Sequence, residues 1–134
     1  MNGILLDTSV IIAYEKGKLD LHAWLATQSH NATVIATITV SELLYGVERD
    51  DATSRAQARR TWMDSFINAS TVLDFDEECA RIHARIAVGL EARGERIGAH
   101  DMLIAATALR HNMAVATLNA AEFKRVPKLK VITP

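Results

Sequence analysis

The sequence predicts an α/β protein whose central, mainly parallel sheet of four to five strands is covered by helices on both faces. Short apolar or β-branched runs alternate along the chain with longer segments that have the apolar periodicity of helices. The first run, residues 4–6, is continuously apolar, which is typical of a strand buried on both faces of a sheet. The chain has 134 residues, of which 49% are hydrophobic, so we expect a single domain over residues 1–134.

The first part of the chain is predicted to alternate strand and helix twice. Apolar residues 10–12 indicate a helix that Gly17 ends, since glycine readily adopts the left-handed conformation found after a helix. Apolar spacing over residues 21–25 predicts a second helix. Residues 33–37 are rich in β-branched side chains and predict the second strand. A further helix is expected to begin near Thr39.

The middle of the chain predicts two longer helices with a strand between them. Residues 51–68 form the first of these helices and residues 72–73 the strand. Asp76 is placed to cap the next helix, because its carboxylate can accept a hydrogen bond from a free backbone N–H of the first turn. Cys79 lies on the apolar stripe of that helix, so we expect it in the core. As the only cysteine, it excludes an intramolecular disulfide and a thiolate metal site.

The last part is predicted to form a loop over residues 94–98, a helix over residues 101–111, and strands over residues 114–117 and 129–132. The helix is apolar on nearly every face, which indicates burial between layers. No apolar run reaches the ~18 residues of a membrane helix, and the N-terminus lacks the pattern of a secretion signal. We therefore expect a cytoplasmic protein without a membrane partner.

The net charge of −1 argues against a uniformly basic nucleic-acid-binding surface. A basic patch would have to be local. Two groups of arginines could form one: Arg55, Arg59 and Arg60, or Arg81, Arg85, Arg93 and Arg96. An equally good interpretation of each group is a solvated helix face with ordinary ion pairs.

Four acidic residues that are far apart in sequence stand where predicted buried elements meet loops. They are Asp7, Glu42, Asp101 and Glu122. In parallel sheets, functional side chains gather beyond the carboxyl ends of the strands, so we expect these carboxylates to converge. Two carboxylates about 4 Å apart repel by roughly 4 kcal/mol at an effective dielectric of 20, so such a cluster needs protonation or a bound cation. Oxygen ligands favour Mg²⁺ or Mn²⁺, which can assist phosphodiester hydrolysis.

Three of the acids have simpler interpretations when taken one at a time. Glu42 could be an ordinary first-turn helix residue, Asp101 could cap its helix, and Glu122 could be a surface charge. His100, beside Asp101, is interpreted as a loop histidine rather than a ligand.

Asp7 is the hardest of the four to explain alone, because an acid that ends a buried strand must be satisfied by some partner. Thr8 and Ser9 could supply hydrogen bonds to it in place of a metal ion. The joint placement of the acids, more than any one of them, therefore indicates a metal site.

The chain resembles PIN-domain nucleases and, among them, the VapC-type toxins of bacterial toxin–antitoxin pairs. The matching segments are residues 5–9 (LLDTS), 39–46 (TVSELLYG), 97–108 (IGAHDMLIAATA) and 116–127 (ATLNAAEFKRVP). The resemblance implies a PIN-like three-layer α/β/α fold and a Mg²⁺-dependent endoribonuclease site, in which Mn²⁺ can substitute.

The resemblance also implies roles for individual residues. It makes Asp7, Glu42 and Asp101 the core carboxylates and metal-binding residues, with Asp7 and Asp101 as direct ligands. The fourth acidic position falls either on Asn119, which is an amide here, or on Glu122.

Hydroxyl side chains complete the implied site. The resemblance assigns Thr8 or Ser9, together with Thr117, to positioning water or phosphate. Asn119 belongs with this group if Glu122 is the fourth acid.

The partners that the resemblance implies are a structured RNA such as tRNA or rRNA, a cognate antitoxin protein and a second copy of the chain. Exposed apolar surface for such pairing could include Tyr45, whereas a core role is favoured for Trp24 and Trp62.

Three other functions are compatible with acids at strand ends. One is a PIN nuclease of ordinary RNA processing, which nothing in the chain separates from a toxin. Another is a phosphoacceptor signalling domain, which would need paired acids after the first strand and a late lysine; here Asp7 stands alone and Thr117 follows the late strand. The third is an inert RNA-binding module, against which Asp7, Glu42 and Asp101 argue.

Overall fold

A computed structural model describes residues 2–29, 32–50 and 54–134. Its sheet has five strands in the order β3-β2-β1-β4-β5, and every neighbouring pair is parallel. The strands are β1 (Gly3–Leu6), β2 (Thr33–Ala36), β3 (Thr71–Leu73), β4 (Met113–Ala116) and β5 (Val131–Ile132). The predicted parallel sheet is therefore confirmed.

Seven helices connect and cover the strands within the described residues. They are α1 (Thr8–Glu15), α2 (Leu21–Ala26), α3 (Thr37–Arg49), α4 (Ser54–Ala69), α5 (Glu77–Arg93), α6 (Ala99–Arg110) and α7 (Ala120–Phe123). None of them is long and apolar enough to cross a membrane.

The sheet has an apolar core on each of its faces. Leu5 points to one face and packs in a cluster with residues of α5 and α6, such as Leu90 and Ile104. Ile4 and Leu6 point to the other face and pack with residues of α1, α3 and α4. Because side chains alternate along a strand, an apolar run buried on both faces requires helices on both sides. The three-layer α/β/α arrangement is thus confirmed.

Two helix starts differ from the sequence prediction. The helix expected near Thr39 begins at Thr37, where the side chain of Thr37 donates a hydrogen bond of 2.9 Å to the carbonyl of Leu73. Glu42 therefore lies in the second turn of α3 and is not a first-turn residue. The helix expected from Asp101 begins at Ala99, so Asp101 is not its cap. The predicted start of α4 at Asp51 lies outside the described residues.

Other local predictions hold or need smaller corrections. The Asp76 carboxylate accepts a hydrogen bond of 2.9 Å from the backbone N–H of Cys79, and Cys79 is fully buried, as predicted. Burial raises the pKa of the Cys79 thiol, which keeps it protonated. Trp24 and Trp62 are half-buried against the core, whereas Tyr45 is 66% exposed. The last strand is shorter than predicted, and the short helix α7 was not predicted.

Candidate active site

Asp7 lies at the carboxyl end of β1, the central strand of the sheet. Its backbone N–H donates a hydrogen bond of 2.9 Å to the carbonyl of Ala116, the last residue of the neighbouring β4. The chain runs from β1 to β2 on one side, whereas β4 lies on the other side, so the strand order reverses at this point. Crevices that hold ligands form at such reversals, beyond the carboxyl ends of the strands.

Two hydroxyl groups hold the Asp7 carboxylate through a single oxygen. The Oγ of Ser9 donates to Asp7 Oδ2 at 2.7 Å, and the Oγ1 of Thr117 donates to the same oxygen at 2.8 Å. Asp7 is only 5% exposed. Its second oxygen, Oδ1, accepts no hydrogen bond from the described side chains or backbone, which leaves its lone pairs for a ligand.

The backbone after β4 orients both hydroxyls. The N–H of Leu118 donates to Ser9 Oγ at 3.1 Å, and the N–H of Asn119 donates to Thr117 Oγ1 at 2.9 Å. Because each hydroxyl oxygen accepts from the backbone, its proton is directed toward Asp7. The geometry of Asp7 is therefore supported by a second layer of hydrogen bonds.

Glu42 is held from two directions. The Oγ1 of Thr8 donates to Glu42 Oε1 at 2.8 Å, and the buried Oγ1 of Thr39 lies 3.5 Å from that of Thr8. On the other side, Nδ1 of His100 lies 3.3 Å from Glu42 Oε2. Glu42 on α3 is thus linked to the beginning of α1 and to the beginning of α6.

Thr8 and Ser9 have different partners from those first considered. Both were candidates to satisfy Asp7, but only Ser9 does so, whereas Thr8 serves Glu42. The physical reason is helix geometry: consecutive residues of α1 point about 100° apart, so their hydroxyls cannot both reach one carboxylate.

Asp101 is in electrostatic contact with the other three acids. The pKa of its carboxyl is raised to about 7, first by burial and then by a hydrogen bond with Glu122 and by the charges of Asp7, Glu122 and Glu42. The four predicted carboxylates are therefore close enough for Asp101 to interact with the other three. Glu122, on α7, shares the hydrogen bond with Asp101, whereas Asn119 precedes α7 without a side-chain cap hydrogen bond.

The donor set fits a hard divalent cation in type and charge. Every predicted ligand is a carboxylate oxygen, and burial together with the neighbouring carboxylates raises the pKa of Asp101, so a bound cation would stabilise its charged form. Over residues 2–29, 32–50 and 54–134, no three Asp, Glu, His or Cys side chains are already gathered around one point as metal ligands. Mg²⁺ commonly uses only one or two protein carboxylates and completes its shell with water and phosphate, so it does not need a closed cage of protein ligands.

Sequence reasoning missed two contributors to this site. The sequence predicts a loop position for His100, which instead lies in the first turn of α6 and contacts Glu42. Thr39, which is fully buried beside Thr8, was considered only as a helix start. The sequence offers only one signal for these two residues: His100 is next to Asp101, and Thr39 is three residues before Glu42. Proximity in sequence does not by itself reveal which side chains are in contact.

Arginines tie together the two segments that carry Asp101 and Glu122. The Nη1 of Arg125 donates to the carbonyl of Arg96 at 2.7 Å, and the Nη2 of Arg93 donates to the carbonyl of Arg125 at 2.8 Å. Arg96 precedes α6, and Arg125 follows α7. These bonds hold the two helix ends that present the Asp101–Glu122 pair.

The two predicted arginine patches are largely engaged within the protein. Arg59 forms two hydrogen bonds with Glu15, at 2.9 and 3.1 Å, and Arg60 lies 2.7 Å from Glu48. Arg81 pairs with Glu77 at 3.0 Å on the exposed side of α5. For these residues, the interpretation as helix faces with ordinary ion pairs is the better one.

Comparisons with known proteins agree with this fold. A family model described as PIN domain matches residues 4–129. Ribonuclease VapC of Rickettsia bellii is 39% identical over 132 residues, which are 98% of this chain and 96% of that protein. The tRNA(fMet)-specific endonuclease VapC of Salmonella typhimurium is 31% identical over 127 residues, which are 95% of this chain and 94% of the relative.

A solved structure gives the same result. The crystal structure of VapBC2 from Rickettsia felis, bound to a DNA fragment from its promoter, contains a chain that superposes with a TM-score of 0.87 at 26% identity. The similarity covers 98% of both chains. All four clustered acids fall within the residues matched by the family model. The chain therefore belongs to the PIN-domain family, and its relatives within that family include VapC ribonucleases.

Proposed function

We propose that this protein is a Mg²⁺-dependent endoribonuclease that acts as the toxin of a VapBC-type toxin–antitoxin pair, with one nuclease domain over residues 1–134. One observation carries the proposal: Asp7 is held through Oδ2 by Ser9 and Thr117 while Oδ1 stays open. Burial and the nearby carboxylates together raise the pKa of Asp101 to about 7, which is the environment that a bound cation would relieve.

In this proposal, Asp7, Asp101 and Glu42 hold the ion, with Asp7 and Asp101 as direct ligands. When bound there, Mg²⁺ lowers the pKa of an attacking water and stabilises negative charge on the leaving oxygen. Mn²⁺ can take its place because it prefers the same oxygen donors.

Side chains of this protein orient the carboxylates of the site and supply its negative charge. Ser9 and Thr117 keep Asp7 Oδ2 occupied, which directs Oδ1 to the ligand. Thr8 fixes Glu42 by its bond of 2.8 Å. Glu122 shares a hydrogen bond with Asp101, whose raised pKa favours a proton on this pair; a cation held there would compete with that proton.

One further residue and one cavity contribute to the proposed site. Asn119 acts through its backbone N–H, which orients the Thr117 hydroxyl. A shallow cavity of about 360 Å³ at residues 98–101 lies beside Asp101 and gives the phosphate a path to it.

The proposed substrate is a structured RNA, such as tRNA or rRNA. The name of the Salmonella typhimurium relative, a tRNA(fMet)-specific endonuclease, supports tRNA as the first class to test. The Rickettsia felis VapBC2 structure supports a cognate antitoxin as protein partner. We further propose that the chain forms a homodimer and acts in the cytoplasm, where it meets cellular RNA.

The decisive experiment measures cleavage of purified tRNA by the wild type and by Asp7→Asn. Asn keeps the size of the side chain but removes the charge that binds the cation, so we expect at least a hundredfold loss of rate with an unchanged circular dichroism spectrum. Asp64→Asn, which makes the same chemical change on the exposed side of α4, is the matched control and should keep full activity.

The same experiment tests the cation. A chelator should abolish cleavage by the wild type, and added Mg²⁺ or Mn²⁺ should restore it. Undiminished cleavage by Asp7→Asn, or full activity in the chelator, would refute the mechanism. Mapping of RNA ends after induced expression would then identify the substrate.

A further inference from the structure

Tyr45 is an aromatic side chain that the fold leaves in solvent beside the acidic cluster. It is 66% exposed, although α3 buries other apolar residues such as Leu43 and Val47. Residues three and four apart share a face of a helix, so Tyr45 lies one turn from Glu42. Because Glu42 faces Thr8 and His100 in the site, Tyr45 stands at the edge of the same site.

A positively charged side chain lies next to the ring of Tyr45. The guanidinium carbon of Arg49 lies 5.7 Å from the ring centroid, which is a cation–π contact. Arg49 also lies 3.6 Å from Asp50, but both side chains are more than half exposed, so that ion pair is weak. Glu42, Tyr45 and Arg49 form a stripe about 10 Å long on one face of α3.

The surroundings of Tyr45 suit a flat, charged ligand better than a protein interface. The other large apolar side chains that are exposed among the described residues lie on other segments: Phe75 after β3, Val88 on α5 and Leu118 after β4. On α3, Tyr45 is flanked by the exposed polar residues Ser41 and Glu48. The core of a protein–protein interface is normally a contiguous apolar patch. The described residues show no such patch around Tyr45 on the exposed face of α3.

An unpaired nucleobase fits these features. Proteins that bind single-stranded nucleic acid combine aromatic rings, on which bases stack, with cations that track the phosphates. Structured RNAs are read mainly at loops, where unstacked bases are available. A ring one turn from a catalytic carboxylate can therefore hold a base next to the phosphate that is cleaved.

We propose that Tyr45 stacks an unpaired base of the RNA substrate next to the cleaved bond, and that Arg49 contacts the adjoining phosphate. This inference rests on the proposed ribonuclease function and extends it to substrate recognition. It makes the enzyme selective for loops, because a base within a duplex cannot leave its stack without an energetic cost.

The test measures RNA binding in the Asp7→Asn background, so that cleavage does not interfere. The probes are a fluorescein-labelled tRNA anticodon stem-loop and the same strand annealed to its complement, followed by fluorescence anisotropy. We expect Tyr45→Ala to raise the Kd for the stem-loop about 5- to 100-fold, as for loss of one stacked base, and to change duplex binding by less than about twofold. Tyr45→Phe keeps the ring and should bind as the parent does.

Three further variants separate stacking from simpler effects. Tyr45→Leu keeps apolar bulk without a ring and should resemble Tyr45→Ala. Arg49→Ala should lower the slope of log K against log salt by about 0.7, whereas Tyr45→Ala should leave that slope unchanged. Val88→Ala removes an equally exposed apolar side chain from α5 and should have no effect.

Several outcomes would overturn the inference. Unchanged stem-loop binding by Tyr45→Ala, or wild-type binding by Tyr45→Leu, would exclude base stacking. A variant that loses dimerisation or antitoxin affinity while it binds RNA normally would assign Tyr45 to a protein interface. RNA that binds with this pattern but is never cleaved by the wild type would refute the proposed catalytic function and support the Tyr45 assignment.

Discussion

Asp101→Asn tests whether the four carboxylates really share one electrostatic environment. The pKa of Asp101 is raised from 3.8 to about 7, first by burial, then by the hydrogen bond with Glu122 and by the charges of Asp7, Glu122 and Glu42. The folded state therefore binds a proton more tightly than the unfolded state does. Proton binding and folding are linked, so the contribution of Asp101 to the free energy of unfolding is fully present below about pH 4 and is lost as the pH rises through about 7.

The magnitude follows from that difference in pKa. The pKa values of Asp101 in the folded and unfolded states differ by about three units, at 1.36 kcal/mol each. Ionisation of Asp101 can therefore lower the free energy of unfolding by at most about 4 kcal/mol. Because Asp101 is only half-buried, solvent screening reduces the penalty, and we expect about 1–2 kcal/mol at pH 8. Asparagine has the shape of aspartate, carries no charge and can donate a hydrogen bond to Glu122, so Asp101→Asn should relieve this penalty.

The assay is thermal unfolding followed by circular dichroism, in a chelator, at pH 8 and at pH 4.5. At pH 8, Asp101→Asn should raise the Tm by about 4–8 °C, and the difference should shrink greatly at pH 4.5. Asp64→Asn is the control and should change the free energy of unfolding by less than about 0.5 kcal/mol. Saturating Mg²⁺ should stabilise the wild type more than Asp101→Asn. A lower Tm for Asp101→Asn at pH 8, or a difference that does not vary with pH, would refute the reasoning.

Other changes test separate parts of the site. Because protons compete with the cation at Asp101, whose pKa is about 7, the Mg²⁺ concentration needed for half-maximal cleavage should be about tenfold higher at pH 6 than at pH 8; equal values would exclude the competition. Thr117→Val removes the buried hydroxyl that donates to Asp7 and accepts from the N–H of Asn119, so it should cost about 1–3 kcal/mol of stability and raise the Mg²⁺ concentration needed for half-maximal cleavage, whereas Thr117→Ser should keep both properties. Arg125→Met should weaken Mg²⁺ affinity without changing the Kd for duplex RNA, and restoration by Arg125→Lys would support its role in joining the two segments. Cys79→Ser should lower stability but leave kcat unchanged; a large loss of rate in the folded variant would contradict its core assignment.

Helix starts show where local sequence rules reach their limit. Asp76 was recognised as a cap because a cap depends on a contact three residues away, which the sequence displays directly. The starts at Thr37 and Ala99 were misjudged because neither helix has a side-chain cap; Ala36 and Gly98 occupy those positions. At Thr37 the helix end is bonded instead to Leu73, a residue on another strand.

The sequence by itself determined the layered parallel fold and singled out the four acids as candidates, since both follow from patterns along the chain: apolar runs of strand length, helical periodicity, and a charge where each buried segment ends. Only the tertiary structure decided how the acids are held. Ser9 and Thr117 meet at Asp7 because β1 and β4 are neighbours in the sheet, although 108 residues separate them in sequence. Thr8 turned out to serve Glu42, His100 to contact it, and Arg125 to join the loop before α6, because each of these contacts crosses between elements. Strand order and helix rotation set such contacts, and a pattern of residue types along one chain does not encode them locally.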